Sequence, residues 1–304
     1  MRISALAVLA VLASAPAAPP ASFRVHVSGH GRPMILIPGM ASSGDTWKST
    51  VAHYENQYTC HVLTLAGFAG VPATDRPLLA TVATELAEYI AQQHLDHPVI
   101  VGHSLGGNVA LDVAARHPDL IGPLVIVDAL PFYPGAWFQA KTVEDAKPML
   151  AGMRAYQLAQ THEQYEQYVR SGAATKYMVT SPVDFQTIVQ WGLASEQRVV
   201  ADAMYDLVSQ DLRPGLPRIA APTLVLGTWI GLQEQLKQGH IELSRATVVK
   251  TFEEQYAGLP HLHFAITDTA RHFIMFDDPA WFFQEVDAFL ASPARAAEDR
   301  GFAR

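Results

Sequence analysis

Cysteine is almost absent from this chain. Cys60 is the only one in 304 residues, so no internal disulfide is available and the fold must hold by packing. Charge is also sparse: charged residues make up 16% of the chain, and 21 Lys and Arg against 29 Asp and Glu leave a net charge of −8. No dense basic cluster occurs, which argues against a nucleic-acid partner. No apolar run is long enough to span a bilayer. The 13 histidines contain no metal-ligand spacing beyond the weak pair His261-x-His263, and no sequence feature calls for a cofactor.

What is abundant is apolar sequence, 49% of the chain, enough for one large core. The N-terminus stands apart from it. Met1-Arg2 is a short positive region, Ile3 to Ala13 is apolar, and Ala15-Pro16-Ala17 is a small-x-small cleavage pattern. We therefore read residues 1–17 as a secretory signal and 18–22 as a tether. Export to the periplasm or beyond follows as an expectation. Cys60 is too far from the signal to carry a lipid anchor, so the mature protein is expected to have no stable membrane anchor.

Strand and helix patterns alternate from residue 23 on. Short apolar runs at Phe23–Val27, Met34–Ile37, His61–Leu65, Val99–Val101 and Leu124–Val127 read as strands. Thr81–His94 and Asn108–Arg116 carry helical stripes, the second stopping before Pro118. Continuously apolar strands separated by helices predict a mostly parallel α/β sheet covered on both faces. The alternation stops at Leu130 and resumes with strands at Thr223–Gly227 and His263–Ile266, closed by an amphipathic helix over Pro279–Leu290. The interruption is helical, and about 85 residues are too many for a loop of a compact domain. It is expected to be a helical cap, 130–217, between a first core segment, 23–129, and a second, 218–292, with a tail at 293–304.

One run carries chemistry. Val99-Ile100-Val101 leads into Gly102-His103-Ser104-Leu105-Gly106, the G-x-S-x-G pattern of a strand-to-helix turn that exposes a strained serine. The pentapeptide alone is weak; its setting between a β-branched run and a helical pattern strengthens it. A serine hydroxyl needs a base, an acid to orient the base, and an oxyanion hole. The base is expected last in the chain, in the loop after the final strand, and His272 stands there.

These blocks together resemble the α/β-hydrolase superfamily, from Phe23 to Leu290. Ile35-Leu36-Ile37-Pro38-Gly39-Met40 looks like its oxyanion strand with Pro38 in place of the usual histidine, and Leu63 to Gly70 like the strand and loop that follow. Arg271-His272-Phe273 before Pro279 resembles the catalytic-histidine loop. The resemblance implies Ser104 as nucleophile, His272 as base, and the backbone N–H groups of Leu105 and Met40 as the oxyanion hole. Most relatives carry an aspartate after the penultimate strand, but here Leu226-Gly227-Thr228-Trp229-Ile230-Gly231-Leu232 has none. Asp128, at the end of the Leu124–Val127 strand, is the assigned acid, a position used by relatives that resemble haloalkane dehalogenases. Glu234, Asp268 and a triad with no conventional acid are the alternatives. Dehalogenation and epoxide opening are excluded, because both need a carboxylate where Ser104 stands.

The cap is rich in aromatic and methionine residues: Phe132, Tyr133, Trp137, Phe138, Met149, Met153, Tyr156, Tyr177, Met178 and Trp191. At helical spacing these read first as the cap's own core and second as the roof of an apolar pocket. Trp229 is a further candidate for that pocket. A small or medium apolar carboxylic ester is the expected substrate. A lactone such as an acyl-homoserine lactone, or a carbon–carbon bond hydrolysed by the same triad, is the alternative. A non-catalytic binding protein is the distant one, since a pure binder has no use for a strained serine.

Overall fold

The computed structural model describes residues 22–138, 140–240 and 242–301. The expected signal, and the tether up to residue 21, lie outside the described residues. Ser22, placed with the tether above, belongs to the fold: it is fully buried, and its N–H and hydroxyl both donate to Glu85 at 2.9 and 2.6 Å.

In chain order the elements are β1 (Phe23–Gly29), β2 (Arg32–Ile37), α1 (Lys48–Tyr54), β3 (Tyr58–Leu65), α2 (Leu78–Gln92), β4 (Val99–His103), α3 (Leu105–Arg116) and β5 (Leu124–Val127). Then come α4 (Tyr133–Phe138), α5 (Val143–Ala159), α6 (His162–Ser171), α7 (Pro182–Leu193) and α8 (Gln197–Val208). The chain closes with β6 (Thr223–Thr228), α9 (Ile230–Lys237), α10 (Arg245–Gln255), β7 (Leu262–Thr267), α11 (Ile274–Asp277) and α12 (Pro279–Gly301).

The strands form one 7-stranded sheet in the order β1-β3-β2-β4-β5-β6-β7. Only the β1–β3 pairing is antiparallel. Side chains alternate across it, as the period of two requires. Ile35, Ile37, Ile100, Leu124, Ile126 and Val225 pack on one face against residues of α2, α3, α8 and α10. Met34, Leu36, Val99, Val101, Val125, Val127, Leu224 and Leu226 pack on the other, where Tyr54 of α1 and Phe282, Val286 and Phe289 of α12 cover them. Burying each of those side chains contributes roughly 1.5–3 kcal/mol, so two covered faces account for the uninterrupted apolar strands. Cys60 lies within the second face, where burial pushes its thiol up to about 11.

From β2 the chain turns toward β3 and from β4 toward β5, so the sheet reverses direction between β2 and β4. A crevice at the carboxyl ends of the strands opens at such a point. Between β5 and β6 the described residues hold five α-helices, a 3-10 turn and no strand. Thr142, Thr161 and Ser181 start three of these helices by accepting a hydrogen bond from the backbone N–H three residues on. The final helix runs past its expected end at Leu290 to Gly301. Residues 293–301 of the expected tail continue this helix.

Candidate active site

Ser104 separates β4 from α3 with φ 52 and ψ −120, a conformation costing on the order of 1–3 kcal/mol for a residue with a side chain. Its neighbours show why the turn needs glycine. A Cβ on Gly102 would lie 2.4 Å from the Gly106 carbonyl oxygen, and one on Gly106 would lie 2.3 Å from that of Ile37. Helix α3 thus starts pressed against the end of β2. The Ser104 N–H donates to the Val127 carbonyl at 2.9 Å, which ties the strained residue to β5.

Asp128 follows β5 directly, also at positive φ (46), and its N–H donates to the Leu226 carbonyl at 2.7 Å. Its carboxylate reaches His272, with Nδ1 and Oδ2 2.5 Å apart. The other oxygen accepts the Thr228 N–H at 3.3 Å. Where relatives carry an aspartate after this strand, the turn here supplies a donor that holds a carboxylate arriving from β5. Thr228 is fixed in turn by a hydrogen bond from its hydroxyl to the Ala270 carbonyl.

The other candidate acids are engaged elsewhere. Glu234 pairs with Arg271 at 2.7 Å. Asp268 accepts from Trp229 Nε1 at 2.9 Å and from Arg245 Nε at 2.8 Å. Trp229, expected as a pocket residue, is thereby turned toward Asp268.

His103, which sequence reasoning passed over as the variable residue of the elbow, is fully buried. Its Nε2 lies 3.1 Å from the His272 carbonyl oxygen, which can only accept, so Nε2 carries the proton. The His103 ring packs against His272 and Phe273, each at a centroid distance of 4.5 Å. Burial, and then the neighbouring His272, push the His103 imidazole well below the ordinary histidine range. It serves as a neutral strut under the base.

Tyr133, at the start of α4 and expected only as a cap aromatic, lies beside the nucleophile. It is buried, and its hydroxyl interacts with Ser104 and with the backbone at Leu130. Burial and then nearby Asp128 push its phenol above the usual range, so it keeps its proton. The loop carrying Asp128 and Tyr133 is pinned from below: Tyr256 donates to the Ala129 carbonyl at 2.8 Å and Asn108 to that of Leu130 at 2.9 Å.

For the oxyanion hole, Leu105 is the first residue of α3, where an N–H has no acceptor within the helix. Met40 follows the Pro38-Gly39 turn, which lies against the nucleophile: a Cβ on Gly39 would sit 3.3 Å from Ser104 Cβ. Of the cap residues, Phe132 and Tyr133 are buried, while Met149, Met153 and Tyr156 are exposed by 41%, 44% and 70%. Those three are therefore not part of a buried cap core. The side chains of Trp137 and Phe138 lie outside the described residues. Among the described residues no cluster of three or more His, Cys, Asp or Glu could hold a metal ion, and no helix is long and apolar enough to cross a membrane.

The buried histidines carry a pH dependence of stability. Burial lowers His61, whose Nδ1 is 2.8 Å from the Tyr89 hydroxyl, and His103 is lowered further. Both stay neutral in the fold but ionise near about pH 6.5 in the unfolded chain. The unfolded state therefore takes up protons that the folded state refuses. The stability they contribute is full above that pH and is lost as pH falls below it. Urea unfolding at about pH 7.5 and about pH 5.5 is expected to give the lower stability at the acid value. A His61→Gln variant is expected to shrink the difference.

The alpha/beta hydrolase family model matches residues 34–285. The pimeloyl-(acyl-carrier protein) methyl ester esterase of Vibrio atlanticus is 26% identical over 275 residues, covering 88% of this chain and 94% of that protein. Among solved structures, the enol-lactonase of Burkholderia xenovorans superposes with a TM-score of 0.68 at 16% identity, covering 88% of this chain and 96% of that one. A thermophilic esterase from Thermogutta terrifontis gives 0.68 at 20% identity, covering 89% and 93%.

Proposed function

Because this chain belongs to the alpha/beta hydrolase family and is an enzyme of it, we propose that it is a serine hydrolase acting on a small or medium apolar carboxylic ester. The observation that carries this reading is the 2.5 Å contact between His272 Nδ1 and Asp128, beside a serine held at φ 52. Asp128 holds the Nδ1–H tautomer, which leaves Nε2 free to act as base. Ser104 Oγ attacks the ester carbonyl while His272 Nε2 takes its proton. The oxyanion is received by the N–H groups of Leu105 and Met40, each donor contributing on the order of 3 kcal/mol to lowering the barrier. His272 then protonates the departing alcohol. Water, deprotonated by the same nitrogen, releases the acid and restores Ser104.

The ester substrate rests on the methyl ester esterase as a relative. A panel of p-nitrophenyl esters of increasing chain length, run beside acyl-homoserine lactones, tests it. Highest kcat/KM on short to medium esters is expected. Turnover of lactones alone, or of neither class, contradicts the ester reading. Export is inferred only from the leader-like residues 1–17, and protease mapping of the mature N-terminus tests it.

A further inference from the structure

The loop that carries His272 is fastened on both sides of that residue to one short segment, 176–180, which joins α6 to α7. On one side, Arg271 donates from Nη1 to the Lys176 carbonyl at 3.3 Å and to the Val179 carbonyl. On the other, the Phe273 N–H donates to the Met178 carbonyl at 3.0 Å. Asp277 closes the frame: it accepts the Thr180 N–H and hydroxyl at 2.8 Å each, and the Arg271 N–H at 2.9 Å. Glu234 on α9 pairs with the Arg271 guanidinium at 2.7 Å. Helix α9 itself abuts the segment, since a Cβ on Gly231 would lie 2.3 Å from the Tyr177 carbonyl oxygen.

The Arg271 side chain is only 20% exposed. It is therefore a largely buried cation with three oxygen partners from two different parts of the chain, adjacent in sequence to the base. A guanidinium suits this role, because its planar fork can bond two carbonyls and a carboxylate together.

We propose that Arg271 is a positioning residue for His272, locking the histidine loop to segment 176–180 of the inserted helical region, with Glu234 holding the guanidinium in place. The inference rests on the assignment of His272 as the base of a serine hydrolase. It gives Glu234 a role one step removed from the chemistry. It also makes the setting of the base depend on the docking of the helices between β5 and β6.

The test measures the second-order rate of Ser104 labelling by a small fluorophosphonate, together with a thermal melt, for the wild type and four variants, all at a temperature where the protein is folded. A misplaced catalytic group costs up to about 100-fold, and Arg271→Gln is expected to slow labelling by about 30-fold. Arg271→Lys keeps the charge opposite Glu234 but not both carbonyl bonds, and is expected to recover all but about fivefold. Glu234→Gln is expected to cost about threefold alone and nothing further when combined with Arg271→Gln, because it acts through that side chain. Wild-type labelling rates in Arg271→Gln, or in Arg271→Lys if the first variant fails to fold, overturn the proposal and reduce Arg271 to a brace. So does a loss that only follows the folded fraction. An unlabelled wild type overturns the hydrolase reading itself, and this inference with it, before any variant is compared.

Discussion

Asp128→Asn is expected to lower kcat by about 10⁴ while leaving the fold intact. The amide would occupy the same space but present an N–H or a neutral oxygen where His272 Nδ1 now meets a carboxylate at 2.5 Å. Without the charge the imidazole loses both its fixed tautomer and the partner that stabilises its protonated form during the reaction. The Thr228 N–H, now donating to Oδ1 at 3.3 Å, would still orient the side chain, so melting temperature should change little. The comparison with the other candidate acids makes the result decisive. Glu234 already neutralises Arg271, and Asp268 is shared between Trp229 and Arg245. Glu234→Gln and Asp268→Asn should each stay within about tenfold of wild type, since neither carboxylate touches the base. A larger loss at Glu234 than at Asp128 would transfer the role.

Ser104→Ala should be more damaging still, with a loss of about 10⁶ in kcat, because the nucleophile has no substitute. The same position should separate activity from stability. Ser104 is held at φ 52 and ψ −120, where a Cβ is unwelcome. Ser104→Gly removes that side chain and is expected to raise the melting temperature while abolishing turnover, the strain being of order 1–3 kcal/mol. Alanine keeps the Cβ and should gain much less. Equal melting temperatures for the glycine and alanine variants would mean that the elbow stores no side-chain strain.

The parts of this site that were legible in the sequence are those whose chemistry is local. The elbow announces itself because Gly102 and Gly106 meet backbone atoms at distances no Cβ tolerates. Strand β5 is legible at Leu124–Val127 because four consecutive apolar residues end at the acid itself. Other boundaries shift outward by a few residues, as at β3, where Thr59 and Cys60 pair with β1 and Tyr58 with β2 despite their mixed polarity. Helix α3 starts at Leu105, earlier than its apolar stripe suggests, because the strained turn feeds directly into it.

What the sequence concealed is long-range. The pairing of Glu234 with Arg271 depends on α9, which carries too weak a stripe to be read as a helix. Neutral His103 has no pattern of its own, and the cap aromatic Tyr133 gives no sign that it lies beside Ser104; only the packing of β4 and α4 gives them meaning. The exposed Met149, Met153 and Tyr156 show the converse: apolar residues at helical spacing that the fold leaves in water.

The most direct test is to treat the wild-type protein with a fluorophosphonate probe and map the modified peptide by mass spectrometry. A single stoichiometric adduct on Ser104, absent from Ser104→Ala and slowed by about 10³ or more in Asp128→Asn, is the expected result. An unmodified wild-type protein, or an adduct on any other residue, would contradict the assignment of Ser104, His272 and Asp128 as one catalytic unit.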